Sequence, residues 1–208
     1  MAHTDSAIAG RLVALLGLAR SALGHASEAA LGADTTVIAR ELAAVEDALR
    51  PLRGEVEKDA ATLLAERRDA SVYLREVVSE VHVGCEARQL AELAARVGEL
   101  ARTREANGPL PDAVRLPLQG MSALALAMVA MAGEALARPE PGVLADLHGG
   151  LSEIGHRQRL LYGQLLAGST SVERTDAVDA ALLSVYFERC AGHALSAARH
   201  AGLFAGLA

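Results

Sequence analysis

Apolar residues in this 208-residue chain return every three or four positions, a period that commits it to helices. Ile8, Leu12, Leu15, Leu16, Ala19 and Leu23 form one stripe, and Gly32 ends the first helix near Leu31. Asp34, Thr35 and Thr36 offer capping oxygens for a second helix, whose stripe is Ile38, Leu42, Val45, Leu49, Leu52, Val56, Leu63 and Leu64. Pro51 interrupts that stripe. An interior proline removes a ladder hydrogen bond at a cost of about 3 kcal/mol, which predicts a kink there or a helix in two pieces. After the polar turn Glu66-Arg67-Arg68-Asp69, a third, long helix carries Leu74, Val77, Val78, Val81, Cys85, Leu90, Leu93, Ala94, Val97 and Leu100. Strands would need alternating β-branched and aromatic residues. Here Ala, Leu, Glu and Arg dominate and only 2% of residues are aromatic, so the expected fold class is all-α.

Asn107-Gly108-Pro109-Leu110-Pro111 is the clearest linker. Beyond it the pattern predicts helices over 116–136 and 143–166, with a turn at Pro139-Glu140-Pro141-Gly142 between them. A last helix follows the turn at 168–171 and runs almost to the C-terminus. The second half therefore repeats the first: Val37-Ile38 corresponds to Val143-Leu144, and the region of Arg88 to that of Glu188. Two tandem three-helix units are expected, over 1–106 and 107–208, each ending in a long helix with a charged cluster.

A formal charge of -6, with no cluster of five or more Lys and Arg, argues against nucleic acid as a partner. The N-terminus shows no basic leader followed by an apolar stretch and a cleavage site. The longest apolar run, Met121 to Gly133, is shorter than the roughly 20 residues that span a bilayer, so a cytoplasmic location is expected. Cys85 and Cys190 lack metal spacing and read as small apolar packing residues. No Gly-rich phosphate loop, GxSxG or recognisable Cys and His pair points to an enzyme. Glu153 and His156 have the Glu-x-x-His spacing of di-iron bundles, but no second copy exists. His148, His156, His193 and His200 read otherwise as surface or core histidines.

The most specific segment is Tyr186-Phe187-Glu188-Arg189-Cys190-Ala191-Gly192-His193-Ala194. It resembles the signature of PhoU proteins, the regulators of phosphate uptake, approximately Leu-Glu-Arg-Ile-Gly-Asp-His-Ala. Glu188, Arg189, His193 and Ala194 match it, and Gly192 stands in place of Asp. Leu74-Arg75 with Val77-Val78 resembles the Leu-Arg-x-Val-Val that introduces the first copy, and Thr62-Leu63-Leu64-Ala65 is also similar. Glu86 and Glu92 fall on acidic positions of that copy, whereas Arg88 replaces an acid. The resemblance covers the whole chain. It implies a PhoU-like fold of two three-helix repeats and a cytoplasmic negative regulator of the phosphate-starvation response that binds rather than turns over. The implied partners are the ATPase subunit of a phosphate ABC transporter, a membrane sensor histidine kinase and a second copy in a homodimer, with the membrane reached only peripherally through them. Glu188, Arg189, His193 and Arg75 are the partner-binding candidates. Iron or zinc clusters on acid-x-x-x-acid motifs are also implied.

Two carboxylates four residues apart lie one above the other on a helix and reach the same cation. Arg88-x-x-x-Glu92 instead suits an intrahelical salt bridge, and Glu188-x-x-x-Gly192 keeps one carboxylate. Glu86 with Glu92 and Glu188 with His193 remain as metal candidates. The plainer reading is solvated charge with an interhelical contact from Arg189 or His193. An interaction protein is the leading reading. A metal-binding helical bundle, an oxidoreductase or a metal store, is the competing one, and a scaffold without regulation is a third. The Ala-rich stripes of the first and fourth helices suit core packing and a dimer contact equally.

Overall fold

The computed structural model describes residues 2–32, 71–138, 140–167 and 172–204, with isolated positions between 40 and 61. Every stripe residue of the expected second helix lies outside the described residues. Pro51 is itself described, helical and exposed, but its neighbours Leu52 and Arg53 are not, so the expected kink falls outside the described residues. The described residues form five helices and no strand: α1 (Ala2–Ala30), α2 (Ser71–Arg104), α3 (Asp112–Ala137), α4 (Val143–Leu166) and α5 (Arg174–Phe204). They pack as a ring, α1 on α2, α2 on α5, α5 on α3 and α3 on α1, with α4 laid against α3 and α5.

The helical period turns one side of each helix inward. On α1, Leu12, Leu15, Leu16, Ala19 and Leu23 are buried, each leucine contributing about 1.5–3 kcal/mol of apolar burial. Helix α1 stops where predicted because Gly32 takes φ 115°, a left-handed conformation that side-chain-bearing residues resist. Gly142, at φ 97°, likewise caps the start of α4, whose bounds are those the sequence predicts. A single apolar cluster joins all five helices. Gly150 of α4 lets α3 approach closely, for a Cβ there would sit 2.9 Å from Met128 Sδ.

Three expectations need correction. Val78 and Val81 belong to the predicted stripe of α2, yet they are 46% and 44% exposed. Cys85 is exposed as well, and only Cys190 packs in the core. The reason is geometric: the buried stripe of α2 runs through Val83, Ala87, Leu90, Ala94 and Val97, while Val78, Val81 and Cys85 sit on the opposite face. Helix α3, finally, is long and apolar enough by composition to cross a membrane, although no single apolar run is. Its inward face, Val114, Leu118, Met121, Ala125, Met128 and Ala132, is spent on the protein core.

The Ala-rich stretch of α3 is divided between two environments. Ala125 and Ala132 are in the core, whereas Ala123 and Ala127 face outward.

Candidate functional site

The seam between α2 and α5 carries both charged segments singled out in the sequence. Small residues make it close. Ala87, Ala94 and Ala101 of α2 and Ala180, Ala191, Ala194 and Ala198 of α5 are buried, so short side chains at the edge can reach across. The helices run antiparallel, with Arg104 beside Asp176 and Asp179 at one end and His82 beside His200 at the other.

The central tie of the seam joins Glu86 to α5. Its Oε2 is 2.6 Å from His193 Nδ1, and its Oε1 accepts a 2.6 Å hydrogen bond from the Ser196 hydroxyl. Burial alone would raise the Glu86 pKa. The hydrogen bonds from His193 and Ser196, with the positive charges of His193 and His200, outweigh it and hold the carboxyl below its ordinary value near 4.5. Glu86 is therefore ionised near neutrality, which makes Nδ1 of His193 the donor. One helical turn away the imidazoles of His82 and His200 stack, centroids 4.3 Å apart and planes within 3°. Burial and the neighbouring His82 charge lower the His200 pKa, and Glu86 opposes them.

At the other end Arg104, 5% exposed, bridges three segments. It binds Asp176 at 2.8 Å, pairs with Asp179, and donates to the Gly108 carbonyl of the linker at 3.2 Å. Cys190 lies between the two ends of α5 with its thiol pushed up to about 12 by burial, which keeps it protonated and inert.

The sequence candidates are thus brought together in an unforeseen pairing. Glu86 meets His193 across helices, neither with the partner its own motif proposed. Arg88 and Glu92 form the expected intrahelical pair at 3.4 Å, half-exposed. Arg189 points to solvent and Glu188 is partly buried. Arg75 lies on α2, with its side chain outside the described residues. Glu153 binds Arg157 at 2.8 Å, which commits it to an intrahelical pair one turn on. Ser196, His82 and Arg104 were missed. The first two sit three and four residues from His193 and Glu86, a helical spacing that becomes informative once α2 and α5 are known to touch.

An acid-x-x-x-acid metal motif does not fit these residues. The fixed charge of Arg88 occupies Glu92, Gly192 offers no ligand, and Glu86 is satisfied by His193 and Ser196. Among the described residues no group of three or more His, Cys, Asp or Glu side chains is placed to hold a metal ion.

The same architecture occurs in known proteins. The chain is 30% identical over 192 residues to the phosphate-specific transport system accessory protein PhoU homolog 1 of Mycobacterium tuberculosis, covering 92% of this chain and 86% of that relative. PhoU homolog 2 of the same organism is 28% identical over 194 residues, 93% of this chain and 91% of the relative. The crystal structure of PhoU from Pseudomonas aeruginosa superposes with a TM-score of 0.87 over 98% of each chain, at 18% identity. No model of a known protein family matches the chain.

Proposed function

Since this chain belongs to the PhoU family, we propose that it regulates phosphate uptake and phosphate-starvation signalling by binding other proteins, without turning over a substrate. The observation that carries this reading is similarity over nearly the whole chain to accessory proteins of phosphate-specific transport. The partners are the ATPase subunit of a phosphate ABC transporter and a sensor histidine kinase, engaged in the cytoplasm, with the membrane reached only through them. Arg189, exposed within the signature segment, and Glu188 beside it are the contact candidates on α5. A second copy of the chain joins the assembly as a homodimer.

The molecule is read as two three-helix repeats divided between residues 106 and 107. Supporting this, the corresponding helices α1 and α3 pack on each other across one side of the ring as α2 and α5 do across the other, and the break between Arg104 and Asp112 falls at that division. Copurification from phosphate-replete cells tests the function. Recovery of a transporter ATPase or a sensor kinase is the expected result, lost or weakened in Arg189→Glu. Recovery of neither would sink the proposal.

A further inference from the structure

The stack of His82 on His200 has no role in that reading. Parallel imidazoles at 4.3 Å pack well when neutral, but two imidazolium rings at that distance repel. Glu86, one turn along α2, is the carboxylate acting on His200, and it already holds His193 and Ser196. On α5 the flanking cation Arg199 is turned to His148 of α4, 2.8 Å away. The charges acting on His200 are those of His82 and Glu86.

We propose that the stacked His82 and His200 pair is a proton-responsive contact: closed when the rings are neutral, and opened by a second proton that separates α2 from the last turns of α5. The far end of the seam cannot answer in this way, because an arginine stays charged throughout. Acidification therefore frees the C-terminal part of α5 while Arg104 keeps its first turn in place.

Histidine NMR titration and amide hydrogen exchange on the full chain test this, using His82→Gln and His200→Gln as comparisons. In the unsubstituted protein the His200 ring is expected to take up its proton below the ordinary histidine range, and closer to that range in His82→Gln. Amides of α5 beyond His193 are expected to lose about five-fold or more of their protection between pH 7.5 and 5.5, after correction for intrinsic exchange. In either variant the loss falls below about two-fold, since one imidazole remains. Glu86, held below 4.5, does not titrate in that window. Unchanged protection in the unsubstituted protein, or a loss in the variants as large as in the unsubstituted protein, overturns the proposal.

Discussion

The carboxylate of Glu86 on α2 lies 2.6 Å from the imidazole Nδ1 of His193 on α5, so the two charged segments of the chain meet in one contact. Their side chains keep only 17% and 23% exposure, which places the pair between a surface bridge and a buried one. A double-mutant cycle with Glu86→Gln and His193→Asn should give a coupling of about 1 kcal/mol, within the usual range of roughly 0.5–3. Additive effects in urea unfolding would remove this pair from the list of ties across the seam.

Arg104 is held more tightly. Its substitution by Met leaves Asp176 and Asp179 facing each other without a cation, and should cost about 3–5 kcal/mol. The triple variant with Asp176→Asn and Asp179→Asn should recover much of that loss, because the stranded carboxylates go with their partner. Denaturant midpoints for the single and triple variants decide it.

Acid should weaken the fold in two stages. The folded-state pKa of His200 is lowered from 6.5, so the unfolded chain takes up its proton more readily and stability falls as pH drops below about 6.5. The Glu86 pKa is lowered from 4.5, so its contribution is present above that value and is lost as pH falls further. Urea unfolding at pH 7.5, 5.5 and 4 should show midpoints falling in that order. A midpoint that rises at pH 5.5 contradicts the assignment.

The two thiols should separate cleanly in a labelling experiment. Cys85 is exposed and should react with a water-soluble disulfide reagent in the native protein. Cys190, with no exposed surface and its thiol pushed up to about 12, should react only after unfolding. Two equivalents of rapid labelling under native conditions would show that α5 opens far more than its packing implies.

Protein purified without chelator should carry well below roughly one equivalent of iron or zinc, given the occupied Glu92 and Glu86 and the absent acid at Gly192. Elemental analysis measures this directly, and Glu92→Gln should leave the metal content unchanged.

Much of the architecture was legible because it rests on local rules. Gly32 and Gly142 stop and start helices through backbone conformation alone, and the structure follows them. The stripe of α1 was read correctly since its leucines cannot be satisfied elsewhere. On α2 the sequence misleads, because Val78 and Val81 are apolar but sit on the face opposite Val83 and Ala87. Which of these two faces turns inward is decided by the helices packed on α2, namely α1 and α5. The same non-local dependence hid the ties of the seam. Glu86 and His193 were each recognisable as candidates, yet 107 positions separate them, and neither residue names the other.

Arg104 reaches at once to the linker carbonyl of Gly108 and to the first turns of α5. The joint between the halves and the beginning of the final helix are thereby one mechanical piece. Lengthening the linker, or expressing the halves apart, would move the guanidinium away from Asp176 and Asp179, which pair with no other cation among the described residues. The chain's most obvious place to be cut is thus a place where cutting is felt some 70 residues downstream.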